Sequence, residues 1–234
     1  MPKNPYQRVW RYMDFTKFMS LLETKRLFFP SLVILDDPME GYLSAPTVRD
    51  FWDNAERTGD TDEEKAKAKE ITTHNLSVIK RSRRMLYVSS WHMNKYESAA
   101  MWELYLKTEE GISVQTSVKR MIGAFSETQQ NVHIGKVKYI DYSKDKIPWQ
   151  NVFYSALHKR KSYEHEKELR AIVMSVDDVP GLRIKVDLNV LIQRVYVAPN
   201  APEWFFDLVR DVVRDRYSLS CEVVHSGMHE KPLY

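Results

Sequence analysis

Cysteine is nearly absent from this chain, since Cys221 is the single one among 234 residues. One cysteine excludes an intramolecular disulfide and a zinc cluster built on several thiolates, which favours a reducing compartment. Glycine is also sparse, with 7 residues. No Gly-x-Gly-x-x-Gly, Walker or Gly-x-Ser-x-Gly signature occurs, so the sequence excludes phosphate loops and nucleophile elbows of those kinds.

Long apolar runs and a large charge excess are missing as well. No stretch of about 18 uncharged apolar residues occurs, and the first residues, MPKNPYQRVW, lack the apolar core of a secretory signal. Lys and Arg number 35 against 32 Asp and Glu, a net charge of +3, which argues against a chain built mainly to coat nucleic acid but permits a local basic patch. We therefore expect a cytoplasmic protein without a membrane partner.

Hydrophobic periodicity predicts helices and strands that interleave without a regular βαβ repeat. Residues 8–13, 85–91 and 168–174 have the aromatic and β-branched content of strands, whereas residues 15–22 carry the apolar stripe of an amphipathic helix. A hydrophobic content of 43% is ample for a core, and no Gly/Ser/Pro-rich linker divides the chain. We predict one α+β domain over residues 1–234, with a mixed, mostly antiparallel sheet flanked by helices.

Residues 47–84 are highly charged and are predicted to form a mostly helical insertion. The run RTGDTD interrupts the helical pattern, and the segment ends on a basic run within residues 80–84, KRSRR. A solvated helical surface explains this composition. Phosphate binding by the basic run is the alternative.

Three glutamates, Glu164, Glu166 and Glu168, occupy every second position of SYEHEKELRAIV, just before an apolar run. On a strand they would share one face, and their repulsion would raise at least one pKa unless Arg170, on the same face, compensates. On a helix they would fan round the surface and need no function. The pattern therefore indicates either a catalytic Glu-x-Glu at the mouth of a strand or a solvated charge cluster.

Two other polar residues lie within or at the end of apolar strands. Ser90 lies near the end of MLYVSSW, where a hydroxyl either binds a ligand or satisfies the following turn. Arg11 lies between Trp10 and Tyr12 in an otherwise apolar strand. Its charge must pair, reach solvent or bind an anion.

We predict no metal site from the histidines of this chain. Asp36, Asp37 and Glu40 are nevertheless residues of the kind that bind hard cations. A metal-dependent nuclease would combine Asp37 and Glu40 with the later Glu-x-Glu, Glu166 and Glu168. That reading requires a displaced lysine, for which Lys161 is the candidate.

Four segments together resemble a bacterial family known as domain of unknown function 2971. They are LDDPMEG, SSWHMNKYESAAMWELY, GISVQTS and ALHKRKSYEHEKELRAIV. The family has an early Asp-Pro-x-Glu, a central Met-Trp-x-x-Tyr before a Gly-led strand, and a lysine followed several residues later by Tyr or Trp and then Glu-x-Glu-x-Arg. The matching residues are Asp37, Pro38, Glu40, Met101, Trp102, Tyr105, Gly111, Lys161, Tyr163, Glu164, Glu166, Glu168 and Arg170. The resemblance covers most of the chain except the charged insertion and implies no activity.

A second resemblance, to ADP-ribosyltransferases of the Arg-Ser-Glu type, implies an activity. Those enzymes carry an arginine on the first strand, a serine that ends a later strand, and a Glu-x-Glu at the start of another strand. Arg11, Ser90 and the pair Glu166 and Glu168 follow in that order here. Trp91 stands after Ser90, where such transferases usually have threonine or serine.

The resemblance to these transferases implies NAD as the bound dinucleotide. Arg11 would then bind the NAD pyrophosphate, Ser90 would fix the nicotinamide ribose, and Glu168 would face the positive charge that develops on that ribose. Glu166 would orient or deprotonate the acceptor. Two aromatic residues are available to stack on nicotinamide or adenine, Tyr12 and Trp91.

The acceptor, a protein or a nucleic acid, and the oligomeric state stay open at the level of the sequence. Small bacterial proteins of this kind are often associated with phage defence or toxin systems, and we expect this one to share that association. The remaining alternative is a non-enzymatic binding module with a structural ion-pair network. Its members would be Glu164, Glu166, Glu168 and Arg170.

Overall fold

The computed structural model describes residues 2–106 and 109–229. The strands are β1 (Arg8–Asp14), β2 (Arg26–Pro30), β3 (Leu86–Met93), β4 (Gly111–Ser117), β5 (His133–Lys136), β6 (Lys138–Ile140), β7 (His158–Arg160), β8 (Glu168–Met174), β9 (Gly181–Lys185), β10 (Arg194–Val197) and β11 (Glu222–His225). The α-helices are α1 (Phe15–Thr24), α2 (Ala45–Arg57), α3 (Asp62–Ser82), α4 (Ala99–Tyr105), α5 (Val118–Ala124), α6 (Leu188–Leu191) and α7 (Glu203–Asp211). A π-helical turn, Val212–Arg216, extends α7, and four short 3₁₀ segments are Leu32–Ile34, Val152–Leu157, Lys161–Glu166 and Gly227–His229.

A seven-stranded sheet forms the centre of the fold, in the order β11-β10-β4-β1-β3-β8-β5. Its neighbouring strands are antiparallel except for β10 and β11, which are parallel. A separate antiparallel ribbon joins β2 to β9, and β6 pairs with β7 in parallel. The predicted α+β fold, with a mixed and mostly antiparallel sheet flanked by helices, is confirmed.

The turn from β1 into α1 is fixed by a helix cap. The Asp14 side chain accepts a hydrogen bond from the Lys17 backbone N–H, which satisfies one of the free donors at the start of α1. The helix buries Phe18 and Leu22 in the core and ends at Lys25, whose φ of 51° is left-handed. The short β1-α1-β2 connection therefore brings β2 back beside Arg11.

The charged insertion is helical, as predicted, and consists of α2 and α3. The break predicted at RTGDTD separates the two helices. Thr61 begins α3 with a capping box, since its side chain accepts from the Glu64 N–H while the Glu64 carboxylate accepts from the Thr61 N–H. Within residues 2–106 and 109–229, no helix is both long and apolar enough to cross a membrane.

The three alternating glutamates do not share a strand face, so the strand alternative does not hold for the three together. Residues 161–166 form a 3₁₀ turn, Lys167 adopts a left-handed φ of 43°, and β8 begins only at Glu168. Glu164 is exposed, whereas Glu166 and Glu168 are buried. The turn at Lys167 therefore separates an exposed glutamate from two buried ones.

The central sheet opens between β1 and β3. Strand β1 pairs with β4 over its whole length, but its pairing with β3 is confined to Val9↔Met93 and Trp10↔His92. Beyond Trp10 the two strands separate, while β3 continues to pair with β8. This opening determines where the main cavity lies.

Candidate functional site

A cavity with a volume of about 740 Å³ occupies the opening between β1 and β3. Residues of α1, β2, α4 and the turn before β8 complete its walls. The volume lies within the range of roughly 300–1,000 Å³ that is usual for small-molecule sites. Every residue predicted for the transferase site lines this cavity: Arg11, Tyr12, Ser90, Trp91, Glu166 and Glu168.

The strands present these side chains from two faces of the sheet. Ser90 pairs with Arg170 and His92 with Glu168, and directly paired residues of antiparallel strands share a face. Arg11 instead contacts the side chain of Ser89, which alternates with Ser90 along β3 and therefore points to the opposite face. Both sets reach one cavity because β1 and β3 separate there.

Arg11 is a partly buried cation in the wall of the cavity. Its guanidinium donates hydrogen bonds to the Ser89 hydroxyl and, at 3.4 Å, to the Phe28 carbonyl, and it lies 5.7 Å from the centre of the Trp91 ring. Among the described residues, no Asp or Glu oxygen lies within ion-pair distance of it. Burial lowers the pKa of Arg11 to about 10, so it remains charged at neutral pH. Such a guanidinium is suited to bind an anion.

Five buried charged side chains form a second cluster on the other side of the cavity, called here the buried ion network. Its members are Glu40, Lys159, Glu166, Glu168 and Arg170. The Lys159 Nζ lies 3.1 Å from Glu40 Oε1, 2.6 Å from Glu166 Oε2 and 2.9 Å from Glu168 Oε1. Arg170 lies 2.6 Å from Glu40 Oε2 and 2.8 Å from Glu168 Oε2. Three carboxylates thus share two cations.

The buried ion network drives the pKa values of its two neighbouring glutamates apart. Burial and then a hydrogen bond with the Glu168 carboxylate raise the pKa of Glu166 to about 7. Burial alone would also raise the pKa of Glu168, but Arg170 and Lys159 outweigh it and lower that pKa far below its ordinary value. Two adjacent carboxyls with separated pKa values are the usual arrangement of a general acid or base beside a permanently ionised group.

The raised pKa of Glu166 makes stability depend on pH. Between its unfolded pKa of about 4.3 and its folded pKa of about 7, the folded chain holds a proton that the unfolded chain has lost. Rising pH therefore lowers the free energy of unfolding, and the loss is complete above about pH 7. We expect wild type to lose roughly 1–3 kcal/mol relative to Glu166→Gln between pH 5 and pH 8.

This difference is measured by urea unfolding of both proteins at several pH values. Comparing the two proteins removes the opposite contribution of His92 and His158, whose pKa values are lowered by burial. The exposed Glu164→Gln variant is the matched control and should follow the wild-type curve. If the free energy of unfolding changed with pH in the same way for wild type and Glu166→Gln, the raised pKa of Glu166 would be contradicted.

The carboxylates suggested as metal ligands are held by cations. Asp37 lies 2.6 Å from Arg160, and Glu40 belongs to the buried ion network. The lysine among the carboxylates is Lys159; Lys161, the candidate from the sequence, is exposed and lies 3.9 Å from Asp145. In the part of the chain that the structure describes, no group of three or more His, Cys, Asp or Glu side chains could hold a metal ion.

Tyr12 and Trp91 are packed tightly into the walls of the cavity. The Tyr12 hydroxyl accepts a hydrogen bond from the Ser98 N–H at 2.9 Å, and its ring meets Trp102 edge to face at 4.9 Å. Trp91 is buried and donates to the Ser89 hydroxyl. Both rings therefore present fixed surfaces. Ser90 is half-buried, and its hydroxyl has no hydrogen-bond partner among residues 2–106 and 109–229.

The sequence missed the way in which Glu40, Lys159 and Arg170 join the two glutamates. The sequence predicts that Arg170 compensates the glutamates and offers Glu40 as a metal ligand, but it gives no signal for Lys159. Only the fold brings Glu40 to β7 and β8, so no spacing along the chain could reveal the contact. The proposed structural network contains Glu166, Glu168 and Arg170 as expected, but not the exposed Glu164.

No family model matches the chain, and no curated protein matches its sequence. The resemblances to the 2971 family and to ADP-ribosyltransferases stay predictions.

Proposed function

We propose that the protein is an NAD-consuming enzyme of the ADP-ribosyltransferase type, a member of the bacterial 2971 family that acts in the cytoplasm. The observation that carries this proposal is Arg11, a cavity-lining cation without a carboxylate partner in the described part of the chain. The same cavity holds the Ser90 hydroxyl and a pair of carboxyls, Glu166 and Glu168. A dinucleotide with an anionic centre and two riboses is the substrate that uses all three features.

Arg11 supplies the charge that a pyrophosphate needs. A guanidinium offers several N–H donors in a fixed plane, and two of its nitrogens are already held by Ser89 and Phe28. This orientation is fixed before any ligand arrives, which reduces the entropy lost on binding. The stacked Trp91 ring beneath the guanidinium keeps the group in place and adds an apolar wall.

Ser90 and the two packed aromatic rings fit the remainder of the dinucleotide. The Ser90 hydroxyl is available to a ribose hydroxyl because it has no hydrogen-bond partner in the described part of the chain. Tyr12 and Trp91 offer apolar surfaces at fixed positions for the nicotinamide ring. Their rigidity favours one orientation of the ring.

The glutamate pair supplies the chemistry. In the proposed reaction the bond between nicotinamide and ribose breaks, nicotinamide leaves with the bonding electrons, and an acceptor adds to the ribose carbon. Glu168 stays ionised and contributes negative potential near the developing positive charge, although Arg170 and Lys159 partly neutralise it. Glu166, with a pKa of about 7, is suited to take the proton of the acceptor at neutral pH.

The proposal is tested by thermal unfolding with NAD, and separately with Mn²⁺, for wild type and Arg11→Met. NAD at about a hundred times its dissociation constant should stabilise wild type by roughly 2.7 kcal/mol. Arg11→Met should lose this effect and, without ligand, should be more stable than wild type by roughly 1 kcal/mol, because an uncompensated charge has been removed.

Stabilisation by Mn²⁺ but not by NAD would contradict the proposal and favour the metal-dependent nuclease. Equal NAD stabilisation of wild type and Arg11→Met would show that the dinucleotide does not use this cation. Lys136→Met removes an exposed cation on β5 and is the matched control for loss of charge.

A further inference from the structure

The β2-β9 ribbon has one face directed to solvent, called here the ribbon face. Phe28 pairs with Arg183 and Arg26 pairs with Lys185, so these four side chains share a face. The alternate residues, Leu27 and Phe29 among them, are buried in the core. The ribbon face therefore consists of Arg26, Phe28, Arg183 and Lys185. Three of these residues, Arg26, Phe28 and Arg183, also line the main cavity.

Phe28 is an exposed aromatic residue that is held in a fixed position. Its side chain is 44% exposed, although large aromatic rings are usually buried. The ring packs over Gly181, where an added Cβ would lie only 2.3 Å from the Phe28 Cζ. The Phe28 carbonyl accepts the hydrogen bond from Arg11. Glycine at position 181 thus lets the ring lie flat on the ribbon beside the mouth of the cavity.

The ribbon face carries three cations, Arg26, Arg183 and Lys185. Arg26 and Arg183 form no ion pair within the described residues. Lys185 lies 3.2 Å from Glu127, but both side chains are more than half exposed, so this pair is weak. The ribbon face therefore carries three cations around one fixed aromatic ring.

We propose that the ribbon face binds single-stranded nucleic acid and presents it to the cavity as the acceptor. This acceptor role rests on the proposed transferase function, whereas the binding itself does not. A fixed aromatic ring stacks on a base of any sequence, and flanking cations bind the adjacent phosphates. NAD has a single pyrophosphate, for which Arg11 is already available, so the three further cations fit a longer polyanion.

The group transfer balances without any further reactant. A nucleophilic N–H or O–H of the nucleic acid gives its proton to Glu166 while its nitrogen or oxygen bonds to the ribose carbon. Neutral nicotinamide leaves from that carbon with the electron pair of the broken bond. The products are nicotinamide, a modified strand and one proton, which Glu166 releases to solvent.

Binding is measured by fluorescence anisotropy with a labelled DNA strand of about 12 nucleotides, the RNA strand of the same sequence, and the corresponding DNA duplex. Wild type should bind both single strands more tightly than the duplex. Phe28→Ala should weaken single-strand binding roughly 5- to 150-fold, the effect of losing one stacked base. Arg183→Ala should reduce the slope of log affinity against log salt by about 0.7.

Two variants outside the β2-β9 ribbon, in α7 and in the π-helical turn after it, are matched controls. Trp204→Ala removes an aromatic side chain that is 57% exposed, and Arg214→Ala removes a cation that is 80% exposed. Neither should change single-strand binding. Gly181→Ala, which displaces the Phe28 ring without removing it, should weaken binding as Phe28→Ala does.

Absence of single-strand binding by wild type, or equal binding by wild type and Phe28→Ala, would overturn the proposal. The NAD stabilisation of the same variants separates this failure from failure of the transferase function. If Phe28→Ala loses NAD stabilisation and wild type binds no strand, the ribbon face belongs to the dinucleotide and the proposal is overturned. If strands bind as expected while NAD does not, nucleic-acid binding stands and the acceptor role fails with the transferase function.

Discussion

Replacing Arg170 with methionine is expected to lower the free energy of unfolding by roughly 3–5 kcal/mol. Arg170 is 1% exposed and binds Glu40 and Glu168 through short ion pairs. It also donates a hydrogen bond to the Ala156 carbonyl. Its removal leaves two buried carboxylates with Lys159 as their remaining cation, so the penalty is that of uncompensated buried charge rather than the loss of an attractive contact.

Urea unfolding of wild type and Arg170→Met measures this loss. Arg84→Met is the matched control, because Arg84 pairs with Asp178 at 3.0 Å but both side chains are about two-thirds exposed. The control should change stability by no more than about 1 kcal/mol. An Arg170→Met variant as stable as Arg84→Met would contradict the description of the network as buried and mutually compensating.

Nicotinamide release from NAD is expected to fall roughly 100- to 10,000-fold in Glu166→Gln and roughly 100- to 1,000-fold in Glu168→Gln. Glutamine keeps the size of each side chain. At position 166 it cannot accept the acceptor's proton, and at position 168 it cannot supply negative charge. The activity of wild type should rise with pH through about 7, as Glu166 loses its proton. Glu166→Gln should lack this rise.

Release is followed by chromatography of nicotinamide, with water as the acceptor, at a temperature where urea curves show each variant to be folded. This condition is needed because Glu168→Gln also weakens the buried ion network. Exposed Glu164→Gln is the control and should retain wild-type activity. If Glu166→Gln and Glu168→Gln both kept full activity, the two glutamates would have a structural role only.

Local patterns predicted the elements of this fold well because periodicity reports on the residues of one element. The strand over residues 168–174 and the break between α2 and α3 follow from alternation and from turn residues. The strand alternative for Glu164 to Glu168 fails at Lys167, whose left-handed φ of 43° is uncommon outside glycine. No pattern in the sequence indicates that conformation.

The residues of the candidate site could be predicted from the sequence, but their arrangement in space could not. Arg11, Ser90 and Glu168 were identified one by one, yet their meeting depends on the point at which β1 stops pairing with β3. Register and strand separation are set by tertiary packing, so the sequence could not show that Arg11 contacts Ser89 from the opposite face. The ion pair between Lys159 and Glu40 was likewise not predictable, because the two residues are distant in the chain.

Arg11 links stability to function in this account. A partly buried cation without an acidic partner costs folding free energy, and an anionic ligand relieves that cost. Calorimetric titration of wild type and Arg11→Met with NAD measures this linkage. We expect wild type to bind one NAD per chain and Arg11→Met, which should remain folded, to give no measurable heat. No binding by wild type, or equal affinity in the two proteins, would contradict it.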